Sequence, residues 1–157
     1  MANRAVLEGV RRRLPDYDLY VELRSARWWG AAADRRQTLA LLRANDLTHV
    51  IVDAPSSSGL PAVLEATTAT AVVRFHGRND DTWKKRDITP AERFDYLYGE
   101  EELAEWTGRI DELAGGVERV HALMNNCHGD KGVRNAGDLV GLLTAAGAVP
   151  LPGPSDG

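Results

Sequence analysis

The side chains able to do chemistry gather at a few points of the chain. They are Glu22 and Arg24 in DLYVELR, Asp53 closing HVIVD, Arg74, His76, Arg78 and Asn79 in the run RFHGRN, and Asn125, Asn126, Cys127 and His128 further on. An imidazole titrates near neutral pH and a neighbouring carboxylate tunes it, so His76 is the candidate general acid or base, with Glu22 and Asp53 as catalytic partners. Arg24, Arg74 and Arg78 suit an anionic group, because a guanidinium is always charged and binds carboxylate or phosphate through paired N–H donors. Glu22, Asp53 and His76, with Asn126, could also hold a divalent ion or orient a polar substrate. No compact ligand motif such as HExxH supports a metal, so cofactor and reaction both stay open. The plainer alternative is a charge network that fills space without chemistry.

Three further features carry weaker signals. Gly129-Asp130-Lys131 opens a helix, where backbone N–H groups can cradle phosphate, although an acidic cap would oppose it. Residues 77–99 interleave Trp83, Tyr96 and Tyr98 with Lys84, Lys85, Arg86 and Arg93, a mixture seen on single-strand nucleic-acid surfaces. The competing reading is a lid whose aromatic residues pack over the site while its lysines face solvent. Cys127 beside His128 lacks a third group that would orient a thiol and its base.

Alternating elements position these residues. Apolar residues at helical spacing predict a helix over 2–13, which Pro15 closes. Leu19, Val21 and Leu23 alternate with Tyr20, Glu22 and Arg24, predicting a strand over 18–24. Asp34 is expected to cap a helix running to Asn45, with Leu39, Leu41 and Leu42 as its apolar stripe. HVIVD, 49–53, reads as a short buried strand. The crossover 56–68 leaves room for one or two helical turns at AVLEA, and ATAVVRF, 69–75, is the third strand. After the loop 77–99 come a helix over 100–113, a strand over 117–124 and a helix over 131–146. That last helix is expected to turn Val133, Ala136, Leu139, Val140 and Leu143 inward. The tail at 147–157 is rich in proline and glycine and is expected to be mobile, leaving 1–146 as one domain.

Strand and helix in alternation call for a parallel sheet, either open and doubly wound or part of a (β/α)₈ barrel. Neither GxGxxG nor a P-loop follows the first strand, which argues against a nucleotide-binding open sheet. Ligands bind at the C-terminal strand edge in both architectures, and that edge is where the polar residues fall. By strand parity, Glu22 shares a face with Arg24, and Arg74 with His76, while Val21, Leu23, Val73 and Phe75 face the helices. Glu22 and Asp53 are then expected to balance Arg24 and Arg74.

Composition narrows the function classes. A chain of 157 residues supports one core, and its 43% hydrophobic and 27% charged content is that of a globular domain. A formal charge of -4 argues against an extended nucleic-acid footprint. With Cys127 the only cysteine, no internal disulfide can form. No leader peptide or membrane span is evident, so the expected location is the cytoplasm.

RFHGRN at 74–79, Trp83, FDYLYGEEELAEW at 94–106 and MNNCHGDKGVRNA at 124–136 closely resemble the signature segments of the YecE-like family, catalogued as domain of unknown function 72. VELRS at 21–25 and IVDAP at 51–55 resemble its earlier motifs, and Ser25 stands where the family usually carries histidine. The resemblance implies half of a TIM-like (β/α)₈ barrel, with these four parallel strands as the fifth to eighth under covering helices. It implies that a missing N-terminal half-barrel, or a second copy of this chain, is the partner. The expected function is a barrel enzyme acting on a small anionic or polar substrate, with Arg24, Arg74, Arg78, Asn79, Trp83, Tyr96, Tyr98, Asn125, Asn126 and His128 as substrate contacts. The alternatives are a nucleic-acid or phosphate-binding module using the loop 77–99, and an inactive truncated fragment.

Overall fold

The structure is a computed structural model that describes residues 2–149 and 151, so most of the expected tail lies outside the described residues. Its order is α1 (Ala2–Arg13), β1 (Leu19–Val21), α2 (Ala32–Ala44), β2 (Leu47–Asp53), β3 (Thr70–Phe75), α3 (Asp80–Trp83), α4 (Pro90–Arg93), α5 (Glu100–Ala114), β4 (Arg119–Met124) and α6 (Lys131–Ala145). The four strands form one parallel sheet in the order β1-β2-β3-β4. Each strand therefore lies beside the previous one, with no reversal of winding direction of the kind that marks a doubly wound sheet.

The core sits on one face of this sheet. Ile51, Ala71, Val73 and Phe75 pack against Leu103, Trp106, Ile110 and Leu113 of α5 and Leu139 of α6. Beside them, Leu39 and Leu42 of α2 pack with Trp29, Leu47 and Val63, and Leu7, Leu19, Val21 and Leu23 join from the edge. The inward parity expected for Val21, Leu23, Val73 and Phe75 is thus observed. On the opposite face, Tyr20, Val50, Val72, His121 and Leu123 line an open cleft of about 530 Å³.

Several local expectations need correction. β1 is only three residues long, because its ladder with β2 ends at Val21–His49 and Glu22 to Arg24 leave the sheet. α2 begins at Ala32 behind Ala31, so Asp34 lies in the first turn, where its charge suits the helix dipole, and does not cap it. AVLEA forms no helix. Thr67 donates to the Leu47 carbonyl and accepts from the His49 N–H, and Thr48 bonds Thr68, so this crossover is tied to β2 in extended form. On α6 only Asn135 and Leu139 are fully buried, whereas Val133, Ala136 and Val140 are exposed. That helix is rotated because Asn135 is held by both backbone groups of Tyr98.

Candidate functional site

The polar strand ends separate into two clusters on opposite faces of the sheet. On the open face, Glu22 lies just past β1, Arg74 near the end of β3, His76 one step beyond it and Asn125 just past β4. Continued pairing of His76 N–H to the Asp53 carbonyl and of Asn125 N–H to the Phe75 carbonyl, both 2.8 Å, holds these residues in register. Glu22 Oε2 accepts from Arg74 Nη1 at 2.9 Å, and Oε1 accepts from Arg24 Nε and meets His76 Nε2 at 3.0 Å. Arg74 Nη2 donates to Asn125 Oδ1 at 2.6 Å, and Asn125 Nδ2 meets His76 Nδ1 at 3.0 Å. Burial raises the Glu22 pKa, but the hydrogen bond and charge of a protonated His76 and the hydrogen bonds of Arg24 and Arg74 outweigh it and lower the carboxyl from 4.5 to about 2. Two fixed cations on one carboxylate leave the cluster with positive charge, and the Arg24 side chain is 54% exposed.

The His76 ring is almost completely buried. Phe94 stacks on it with centroids 5.6 Å apart, and Trp83 meets it edge-on at 5.8 Å. Both aromatic residues come from the loop 77–99, which is therefore a packed cover above the site. Arg93 binds the carbonyls of Thr82, Trp83 and Lys85, Asn79 donates to the Asp95 carbonyl, and Asn126 Nδ2 donates to the Tyr96 carbonyl. The aromatic residues suited to base stacking are turned inward, and Lys84, Lys85 and Arg86 are left exposed.

The second cluster lies among the helices and centres on Asp53. Its carboxylate accepts from Arg78 Nε and Nη2, the latter at 2.7 Å, from the Tyr98 hydroxyl at 3.0 Å and from Trp106 Nε1 at 2.6 Å. Arg78 also reaches Glu102 and Glu105, and its pKa is raised chiefly by the hydrogen bond to Asp53. The Tyr98 hydroxyl accepts from the Gly77 N–H while donating to Asp53, and burial foremost raises its pKa. Tyr96 donates to Glu102 and is pushed up to about 12 by burial and that carboxylate.

This division redraws the expected constellation. Glu22 balances both Arg24 and Arg74, while Asp53 balances Arg78 on the other face. Asp53 and Asn126 thus stand apart from Glu22 and His76. Among the described residues no group of three His, Cys, Asp or Glu side chains is arranged to hold a metal ion. At the start of α6, Asp130 makes no side-chain cap, and Lys131 pairs with Asp95, which also lies 4.0 Å from His128 Nε2. Asn135 was not foreseen, yet it binds Asn126 and Tyr98 and so pins the cover. Its signal was an amide four residues before Leu139, on the apolar side of a helix. Cys127 is exposed, and among the described residues no helix is long and apolar enough to cross a membrane.

Comparison with known proteins supplies the family. UPF0759 protein YunF of Bacillus subtilis (strain 168) is 31% identical over 147 residues, which are 90% of this chain and 52% of that protein. The crystal structure of a DUF72 family protein from Thermotoga maritima MSB8 superposes with a TM-score of 0.80 at 36% identity, over 90% of this chain and 52% of the other. That of a DUF72 family protein from Enterococcus faecalis V583 gives 0.84 at 25% identity, over 99% and 57%. The chain thus spans little more than half the length of these relatives. The family model described as "Protein of unknown function DUF72" matches residues 1–156, and the chain belongs to that family.

Proposed function

We propose that the chain supplies one half of a TIM-like (β/α)₈ barrel, and that the completed fold is an enzyme acting on a small anionic or polar substrate at the C-terminal strand ends. Support for the half-barrel comes from the sequential strand order, the single helix-covered face and relatives of about twice the length. The observation that carries the site is the anchoring of Arg24 and Arg74 on one carboxylate, Glu22. Such anchoring presents guanidinium groups without the entropy cost of ordering them on binding. In this reading Arg24 and Arg74 contact the anion and Asn125 orients Arg74. His76 has both ring nitrogens engaged, so it positions Glu22 and Asn125, and acid/base work by its ring requires the Trp83–Phe94 cover to lift.

The test is an NMR titration of the chain with inorganic phosphate, acetate and neutral glycerol. The two anions are expected to shift the Arg24, Arg74 and Asn125 signals, and glycerol is not. Arg24→Gln is expected to weaken anion binding roughly tenfold, as loss of a charge-assisted contact does. Shifts confined to Lys84, Lys85 and Arg86, or the same response to glycerol, would remove the basis for the proposal.

A further inference from the structure

A cavity of about 360 Å³ opens on the helix side of the sheet, away from the Glu22 cluster, and all its walls come from residues 52–109. β2, whose end forms its floor, is paired on both sides, so the cavity lies apart from the unpaired edges of β1 and β4. The crossover 54–69 contains no α-helix, and the space that such a helix fills in a strand–helix–strand unit stays open between this crossover and α5.

The charged groups of the lining fall into two classes. Asp53 and Arg78 are engaged: the carboxylate accepts from Arg78, Tyr98 and Trp106, and Arg78 also holds Glu102 and Glu105. Arg109, Glu105 and Asp80 keep bonding capacity. The Arg109 guanidinium lies over the Trp106 ring, 4.9 Å from its centroid, and has no hydrogen-bond or ion-pair partner among the described residues. Glu105 stands one helical turn earlier, the spacing of an ion pair, yet it turns one oxygen to Arg78 at 3.1 Å and leaves the other free. Asp80 accepts from the Ser56 hydroxyl and the Ser57 N–H, one on each oxygen, so both oxygens retain a lone pair. Lys84, outside the lining, acts on Asp80 only through its field. Apart from Ser56, the uncharged lining is aliphatic: Val52, Ala54, Leu60 and Ala62.

We infer that this cavity is a second ligand site, for a small zwitterion that carries a carboxylate, an ammonium group and a short aliphatic body, as an α-amino acid does. The ligand carboxylate takes the fork of N–H donors that Arg109 holds in place on the Trp106 face. The ammonium group takes the free acceptors of Glu105 and Asp80, and the aliphatic body covers the apolar wall. A phosphate fits worse, because its second negative charge would face those two carboxylates. An amine alone leaves Arg109 without a partner. The inference is independent of the half-barrel reading and of the anion site at Glu22, since it uses none of their residues.

An NMR titration of the whole chain with L-valine, isovalerate, isobutylamine and inorganic phosphate tests this. Isovalerate is valine without its ammonium group, and isobutylamine is valine without its carboxylate. Valine is expected to shift the Arg109 Nε–H and the Ala54 and Glu105 amide signals saturably, at roughly millimolar concentration. The other three probes are expected to act at least roughly tenfold more weakly on the same signals. Arg109→Gln is expected to weaken valine roughly tenfold. Glu105→Gln is expected to remove most of the advantage of valine over isovalerate while leaving isovalerate no weaker, a selective change that a misfolded variant would not give. The Arg24 and Arg74 signals report the anion site in the same spectra, so each site is judged on its own residues. Four outcomes overturn the inference: no saturable shift at Arg109 with valine, isovalerate or phosphate binding there as well as valine, shifts confined to Arg24 and Arg74, or wild-type valine binding by Arg109→Gln.

Discussion

Asn125 fixes the tautomer of His76. Arg74 can only donate, so the Asn125 oxygen must face it, which turns the amide nitrogen toward His76 Nδ1. Nδ1 is then an acceptor, and the neutral ring carries its proton on Nε2, aimed at Glu22 Oε1. Nitrogen-15 NMR of the neutral ring is expected to show a bare Nδ1 and a protonated Nε2. Asn125→Leu is expected to release the ring to a mixture of tautomers. A wild-type ring protonated on Nδ1 would contradict the whole chain of bonds from Arg74 to Glu22.

Asp53→Asn is expected to destabilise the protein by about 3 kcal/mol, the lower end for breaking a buried pair, because Arg78 keeps Glu102 and Glu105. In a domain of this size that lowers Tm by roughly 6–12 °C. Glu105→Gln should cost well under 1 kcal/mol, since the Glu105 side chain is half exposed. Thermal unfolding of both variants is the measurement, and equal losses would show that Asp53 does not hold β2, β3 and α5 together.

Much of the frame was legible in the sequence because periodicity reports burial directly. The α5 stripe of Leu103, Trp106, Ile110 and Leu113 is buried as its spacing requires, and the polar strand ends fall on one edge. The facing of Asp53 was less legible, because a strand buried along all seven residues has no polar face to set its parity. Asp53 is opposite Phe75 in register and so joins the helix side, where Trp106 and Tyr98 meet it. α6 misled for the opposite reason: Val133 and Val140 look like core, but the amide of Asn135 needs the buried position more than they do. A local signal is also present at α4, where Thr89-Pro90-Ala91-Glu92 has the spacing of a capping box and does form one.

Gly77→Ala is expected to be destabilising by more than about 2 kcal/mol. Gly77 has φ +88°, and a Cβ there would stand 2.6 Å from Tyr96 Cβ. The left-handed conformation alone costs an L-residue roughly 1–2 kcal/mol, and the clash would loosen the Gly77 N–H bond to Tyr98. Gly99→Ala is the control: its backbone is extended and the nearest atom to a new Cβ is Glu102 Oε2 at 3.8 Å. Chemical denaturation of the two variants should separate them clearly, and similar midpoints would refute the close approach.

Acid is expected to unfold the protein through two adjacent windows with different owners. His49 is buried beside Trp29, and neither ring nitrogen has a hydrogen-bond partner of good geometry. Burial lowers its pKa from 6.5 to about 4, with the Val63 backbone and Glu65 acting weakly in the opposite sense. The unfolded chain therefore takes up this proton first, and stability falls as pH drops from about 6.5 toward about 4. Glu22 gives up its contribution lower down: present above 4.5, lost as pH falls toward about 2. The His49 contribution is on the order of 3 kcal/mol, at 1.36 kcal/mol per pKa unit, and that of the partly exposed Glu22 is smaller because water screens it. Urea midpoints measured from pH 7 to 2 should show His49→Leu flattening the upper window and raising stability near pH 5, because an unpartnered polar ring is replaced by an apolar one. Glu22→Gln should lower stability at pH 7 and flatten the region below 4.5. If His49→Leu keeps the wild-type slope between pH 6.5 and 4, the buried ring does not stay neutral, and another group must carry that titration.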